Sequence, residues 1–584
     1  MTSLPPPRFC PSLLSTFSIS LPVTLNMIFY RLPWLASLHF VGNLDLLEGL
    51  GSPLAAAALA STIANVTGLS IVIGLSSSLS TLSSQSFGHL QNSSSSQLPQ
   101  FLTTGLTVHY LFTIPIALMW LTELPYKALI ALGQPEVLSR NTGEYLKLLS
   151  PGLLGHTLMF TLMPFCQSIG LSKIPAISAT LAAIIHVPLN LLLIPSYGYL
   201  GAASATSITQ WIGPLIVYLI IFVIRKSHTR AITKSQDLTL CFNGTNPKLI
   251  FQYLRLGLPG LITISEWWAS EVAIFLAGHL SPSPETGISA MTIYQSLNSS
   301  CFMFAVGFSV AASSRVGKFL GMHEPVSAKY ASRIATFGAC LASGTLGFFM
   351  YTTDHTILPR LFTNSEEVVQ ATAATLPLLS LYVFADGVQV TLSGVLKGCG
   401  MQMWMMPVVV FSYWFIGLPF SYYVTFVLNK GEACGHGMCG VVGLTSGMCL
   451  GTWVHFLLMI YLVECKVDWK EMSERAIDNV GIGSDEIPMT ASAVDEEEDD
   501  EEQGVEMMSP EPTQKNDVDS FFSGLTIKKT PKGYGKLESE DSSEEFELRN
   551  TNHDSEEEEI DYDKLTFGID DDNKDKSLDR LRDV

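Results

Sequence analysis

Three carboxylic acids stand where the surrounding sequence is apolar. Glu266 and Glu271 lie in GLITISEWWASEVAIFLAG, and Asp386 lies in LSLYVFADGVQVTLSG. A carboxyl held away from water costs free energy and marks a functional site by default when it falls inside a membrane span. Burial penalises its charged form. Such a group can take a proton near neutral pH, and losing that proton restores a charge that attracts a cation. That chemistry suits proton-coupled movement of cations; the alternative for each acid is a structural hydrogen bond between helices. Trp267 and Trp268 follow Glu266 directly. An aromatic face beside a carboxylate suits a lipophilic cation, although neighbouring residues point about 100° apart on a helix, which turns one of the two indoles toward lipid. Glu266 and Glu271 are five residues apart, about 140° around a helix, so a bend is needed for both to face one cavity. Tyr294, Gln295 and Asn298 can supply polar contacts to a cargo or tie helices together.

Other polar residues fit quieter roles. Arg31 falls in the middle of a span, placed to pair with an acid or to snorkel. His186, near Pro188, reads as a satisfied core histidine rather than a proton relay. Cys434-Gly-His436-Gly-Met-Cys439 fits an ordinary Gly-rich turn, with a disulfide or a metal site as alternatives. No metal centre and no cofactor are expected. The P-loop pattern and the HExxH and GxSxG patterns are absent, so neither ATP hydrolysis of that kind nor zinc or serine hydrolase chemistry is indicated. An uphill step would draw on an ion gradient.

The elements that must position these residues follow from composition. Of 584 residues, 47% are hydrophobic and 15% charged, with a net charge of −20. The averages hide two regions. Residues 1–463 hold 15 acidic and 19 basic residues; residues 464–584 hold 38 and 14. The first region is therefore about 7% charged, too little for a water-facing surface, which excludes a soluble enzyme there. The tail is too acidic and too poor in large apolar residues to fold alone and is expected to be disordered.

Twelve stretches are long and apolar enough to span a bilayer. They fall at 18–40, 54–80, 100–122, 146–168, 174–194, 201–224, 254–280, 287–312, 330–352, 372–396, 404–428 and 438–463. Numbering the connections alternately puts thirteen basic residues on the side of the N-terminus and four on the other, so both termini are expected in the cytosol. Gly74 and Gly88 recur as Gly307 and Gly321, each pair 233 residues apart. That spacing implies a duplicated six-helix unit in parallel orientation with a cavity between the halves. The expected organisation is a cytosolic segment 1–17, an N-lobe 18–224, a linker 225–253, a C-lobe 254–463 and a disordered acidic tail 464–584.

The residues also resemble a known family. AAAALASTIANVTGLSIVIGLSSSLSTLSSQSFG (55–88) is similar to the second helix and following loop of multidrug and toxic compound extrusion (MATE) transporters. EWWASE (266–271), SSRVGKFLG (313–321) and DGVQVTLSGVLKGCGMQ (386–402) are similar to their eukaryotic branch. The resemblance implies an all-α, twelve-helix, two-lobed membrane antiporter that exports organic cations or amphipathic compounds against protons. It implies that Glu266 and Asp386 bind the coupling proton, with Glu271 as the second acid of the motif. Ser80 stands where the family usually has an acid, and Arg31 is unusual, which favours a C-lobe coupling site. A flippase, a carboxylate (citrate-like) exporter, and a non-transporting scaffold acting through its acidic tail are the rival readings. The partners expected are a small-molecule cargo, protons and the lipid bilayer of a plasma, vacuolar or endosomal membrane, with no nucleic acid. Tyr534-Gly-Lys-Leu537 and Tyr562-Asp-Lys-Leu565 in the tail fit signals for sorting adaptors.

Overall fold

The structure, a computed structural model, describes residues 9–42, 53–93, 96–234, 246–363, 365–432 and 437–481. Among them, twelve helices are long and apolar enough to cross a membrane. They are α1 (Cys10–Val41), α2 (Ala55–His89), α3 (Leu98–Leu121), α4 (Glu136–Ser168), α5 (Lys173–Tyr197), α6 (Tyr199–Ile224), α7 (Pro247–Ala277), α8 (Pro284–Gly321), α9 (Pro325–Thr352), α10 (Leu376–Cys399), α11 (Gln402–Leu428) and α12 (Gly440–Lys466). Each contains one of the twelve stretches expected from hydropathy, or most of it, and several run on into polar residues that hydropathy leaves out. Helix α1 begins near Phe9 rather than at residue 18. The inter-lobe segment expected at 225–253 holds a short amphipathic helix, Lys226–Thr233, and the first turns of α7.

Helices α1–α6 and α7–α12 form two lobes. The N-lobe core gathers Leu75, Phe101 and Phe165, and the C-lobe core gathers Met291, Tyr382 and Leu444. The outer faces expose Leu111, Ile184, Leu192, Phe348 and Phe415. Apolar residues outward and backbone hydrogen bonds closed within each helix are what a bilayer demands.

The lobes meet through a reciprocal exchange that follows from the duplication. The first half of α1 packs on α8 of the C-lobe, and α7 packs on α2 of the N-lobe. Ser80 and Ser313, 233 residues apart, touch each other through their hydroxyls at 3.2 Å. On either side of that contact the pairing repeats with the lobes swapped. A Cβ on Gly88 would meet Lys318 O at 1.9 Å, and a Cβ on Gly321 would meet Gln85 O at 2.0 Å. Residues 85 and 88 therefore face 321 and 318 as equivalents across a pseudo-twofold axis that passes between Ser80 and Ser313. Small residues here let the backbones approach within contact distance.

The hydrogen bonds between lobes, among the described residues, lie toward this same end of the bundle. Thr81 Oγ1 donates to Lys397 O at 2.7 Å, Gln85 Nε2 to Gly398 O at 2.9 Å, and Ser314 Oγ to Gln167 O at 3.1 Å. Arg315, buried on α8, donates to Ser12 O at 2.7 Å, to Ser12 Oγ at 2.8 Å and to Thr16 Oγ1, which pins α1 to the C-lobe. One end of the interlobe cleft is thus sealed.

The segment 464–584 does not begin as a disordered tail. Residues 469–481 form α13 (Trp469–Gly481), laid beneath the sealed end. Asp468 Oδ1 caps it by accepting from Lys470 N and Glu471 N, the usual device for orphan amides at a helix start. Met472, Ala476 and Val480, four apart, bury one face. Asn479 joins both halves: Gln252 Nε2 donates to Asn479 O at 2.9 Å, and Asn479 Nδ2 donates to Gln85 Oε1 at 3.3 Å. Averaging charge over the whole tail hid this amphipathic period. The tail beyond Gly481, with its tyrosine motifs, lies outside the described residues.

A side chain at Gly88 or Gly321 has no room with the lobes closed. Gly88→Val and Gly321→Val are expected to loosen the seal. A cysteine placed at Ser313, in a background without other reactive thiols, should then react several-fold faster with a membrane-impermeant thiol reagent from that face. Unchanged labelling in both variants would refute the tight approach.

Candidate functional site

Between the lobes lies a cavity of about 370 Å³. Ser80 and Ser313 floor it at the sealed end. Of the residues expected at the site, Glu266, Glu271, Asp386, Trp267, Trp268, Gln295 and Asn298 all line it. Tyr294 does not. The stripe of α8 facing the cavity runs Gln295, Ser299, Phe302, Val306, Ser309 and Ser313 in steps of three or four. Tyr294 lies beside that stripe, buried against Tyr382 with ring centroids 6.5 Å apart. Its hydroxyl has no hydrogen-bond partner among the described residues. Both Trp267 and Trp268 border the cavity; Trp267 is the more exposed of the two and packs edge-on to Phe302 at 5.7 Å.

Local sequence explains how α7 presents so much of itself. Pro259 removes a helical donor, and the helix breaks at Ile264, where Ile264 N and Trp267 N bond three residues back instead of four. The second half, Ser265–Ala277, starts with Glu266 in its first turn. Ile264, Glu266, Trp267, Trp268, Ser270 and Glu271 all border the cavity, so it wraps more than half of the helix there. The break precedes both acids and turns this segment into the opening. Both acids reach it because the wall is the helix itself.

Glu266 and Asp386 form one cluster. Gln389, one turn along α10 from Asp386, donates Nε2–H to Asp386 Oδ1 at 2.9 Å and reaches Glu266 Oε1 at 3.4 Å. Tyr413 donates its hydroxyl to Glu266 Oε1 at 2.8 Å and contacts Thr452 Oγ1 at 3.0 Å. His455 Nδ1 stands 3.8 Å from Glu266 Oε2, with neither ring nitrogen hydrogen-bonded among the described residues. Tyr413 reaches in from a π-helical stretch of α11, Phe411–Gly417, a distortion often found at functional sites. Helix α10 is held close by small residues: a Cβ on Gly394 would meet Ser309 O at 2.1 Å.

Gln389, Tyr413 and His455 were not singled out in the sequence. Gln389 had a local signal, its three-residue spacing from Asp386 on one helix face. Tyr413 and His455 come from α11 and α12, and nothing local connects them to Glu266. Lys397, counted among the loop cations of the N-terminal side, also lines the cavity. Arg31 lines it too, from the opposite lobe. His186 is a core histidine with both nitrogens engaged, by Thr209 Oγ1 at 2.7 Å and by Ser37 Oγ and Asn190 Nδ2. Cys439 is disulfide-bonded; its partner, with Cys434 and His436, falls outside the described residues. No group of three His, Cys, Asp or Glu side chains fit to hold a metal occurs among the described residues. Among the described residues, the ion pairs outside the cavity lie at the surface: Lys147 Nζ donates to Glu123 at 2.5 Å, which holds that exposed carboxyl below its usual range.

Two helical lobes around a largely apolar cavity, with clustered acids on one wall, define a membrane transporter. The MatE family model matches residues 22–192 and 260–423. Protein DETOXIFICATION 18 of Arabidopsis thaliana is 30% identical over 434 residues (74% of this chain, 87% of that one). Multidrug and toxin extrusion protein 1 of Danio rerio is 26% identical over 488 residues (82% and 77%). The crystal structure of the eukaryotic MATE transporter AtDTX14 superposes with a TM-score of 0.71 at 26% identity, covering 81% of this chain and 99% of that one. The chain belongs to the MATE family and is a transporter, not an enzyme.

A hydrogen bond to a charged group contributes about 1.5–3 kcal/mol. Tyr413→Phe removes one from Glu266 without changing the ring. The variant is expected to fold normally and to lower transport by about tenfold, read as initial uptake rate in proteoliposomes at matched protein density. Wild-type uptake would show that the Tyr413 hydroxyl is not needed.

Proposed function

We propose that this transporter is a proton-coupled antiporter that exports organic cations or amphipathic compounds, with Glu266 and Asp386 as the coupling carboxyls and Glu271 beside them. The single observation that carries the reading is the joining of Glu266 and Asp386 through Gln389 on the wall of the interlobe cavity. Two carboxyls that share donors in a confined space respond to protons as a unit. When they are ionised, a cation enters, held by charge and by the indole faces of Trp267 and Trp268. The sealed end is the cytosolic one in this reading, both termini lie in the cytosol, and the described state faces outward. Protons from the far side neutralise the carboxyls, the cargo leaves, and the lobes rock to reopen the sealed end. Protonation drives export only because it changes cargo affinity. A buried charge worth about 2–3 kcal/mol supplies roughly 30- to 150-fold.

Carboxylate export is the second reading, and one observation favours it. The cavity holds two cations, Arg31 and Lys397, which would attract an anionic cargo.

Proteoliposomes carrying the full chain separate these readings. With an acidic interior and sodium replaced by choline, rhodamine 6G should accumulate, and Glu266→Gln or Asp386→Asn should reduce its rate at least tenfold. Gradient-driven uptake of citrate without rhodamine uptake would favour the second reading. Accumulation that requires sodium would replace the proton as the coupling ion.

A further inference from the structure

The cavity's charged residues of opposite sign nearly cancel. Its lining includes three acids, Glu266, Glu271 and Asp386, and two bases, Arg31 and Lys397. With all five ionised the formal charge is −1. Any two protons taken up by the acids bring it to +1. Without the two bases the same protons would carry it from −3 to −1, and a cationic cargo would be attracted at every stage. The fixed cations therefore decide whether protonation merely weakens the hold or reverses it.

Arg31 occupies the telling position. It lies on α1 of the N-lobe, whereas the three acids and Lys397 lie on α7 and α10 of the C-lobe. Its side chain is exposed to the cavity, and among the described residues no acid comes within 4.0 Å of it. Glu271 is the acid within its electrostatic reach. Lys397 bears in the same way on Glu266. The remaining titratable groups facing the cavity are Tyr382 beside Asp386 and His455 beside Glu266. Three other groups near α1 are committed elsewhere: His186 to Thr209, His156 to Tyr30, and Arg315 to Ser12. From the N-lobe part of the lining, Arg31 thus acts on whatever enters the cavity.

We propose that Arg31, with Lys397, is the fixed positive charge that makes proton uptake expel a cationic cargo from the cavity. Arg31 repels the cargo at all times. The ionised carboxyls outweigh it, and the protonated ones do not. The inference rests on the cation-antiport reading. It makes Arg31 a specificity-determining residue that lowers affinity to speed release.

The test uses tetraphenylphosphonium, whose charge does not titrate, bound to the full chain in nanodiscs at pH 8.0 and pH 5.0. Wild type should bind more weakly at pH 5.0. A unit charge roughly 10 Å away at an effective dielectric near 20 changes affinity about tenfold. Arg31→Gln should therefore bind about tenfold more tightly at both pH values, and its transport should show a lower KM together with a lower kcat. Arg31→Lys should behave as wild type. The double variant Arg31→Gln/Glu271→Gln, which restores the charge sum, should return close to wild-type affinity. Should Arg31→Gln fail to fold, Lys397→Met carries the same expectation. Unchanged or weaker binding at pH 5.0 in a folded Arg31→Gln overturns the inference while leaving cation antiport standing. A wild type that binds no tetraphenylphosphonium, or binds it equally at both pH values, overturns the antiport reading and this inference with it.

Discussion

A carboxylate kept out of bulk water must be given donors, and the C-lobe is built around that requirement. Glu266 and Asp386 cannot both stay charged in a low-dielectric wall without Gln389, Tyr413 and their neighbours. Supplying those donors fixes much else. Gln389 must sit one turn from Asp386 on α10. Helix α10 must press close to α8, which requires Gly394 against Ser309. Helix α11 must distort for Tyr413 to arrive, and α7 must break before Glu266 for the first turn of its second half to face inward. These three features of the lobe converge on that one pair.

The duplication makes the arrangement easier to see because the N-lobe fills the equivalent place without an acid. His156 stands 233 residues before Gln389, the offset that also separates the touching pair Ser80 and Ser313. In the N-lobe His156 accepts the company of Tyr30, at 2.5 Å, and stacks on Phe160 at 4.4 Å. A neutral aromatic pair thus takes the place held by Gln389 and Glu266 in the C-lobe. The backbone frame is symmetric, while the chemistry is not. A symmetric frame gives two rigid bodies that close on a common seal, and an asymmetric lining gives that motion something to respond to.

The seal itself is backbone against backbone. Gly88 and Gly321 trade contacts with the carbonyls of Lys318 and Gln85, and hydroxyl and amide side chains add neutral hydrogen bonds beside the cationic contact of Arg315 on Ser12 and Thr16, which is not an ion pair. Helix α13 lies across this junction through Asn479 and Ser473, the latter bonded to Leu320 O at 3.2 Å. Neutral bonds between two preformed surfaces are individually worth about 1 kcal/mol. Such a junction can open and close reversibly, where a buried ion-pair lock would resist opening.

The sequence alone settled what depends on local composition and period. Twelve apolar stretches, the 233-residue repeat, and the acids Glu266, Glu271 and Asp386 were all legible, because a bilayer permits few spanning structures and makes intramembrane charge conspicuous. The EWW motif and its companions pointed to the family for the same local reason. Tertiary structure decided which helices meet. It brought Tyr413 and His455 to Glu266 from α11 and α12, turned Tyr294 into the core, admitted both Trp267 and Trp268 to the cavity, and brought Arg31 of the N-lobe into the same lining as the acids. It also ordered α13 from within an acidic stretch, since that helix gains its stability by burying Met472, Ala476 and Val480 against the sealed end rather than from its own composition. Contacts between residues far apart in the chain leave no trace in hydropathy or spacing, because each side chain obeys only its own helix's period until the lobes pack.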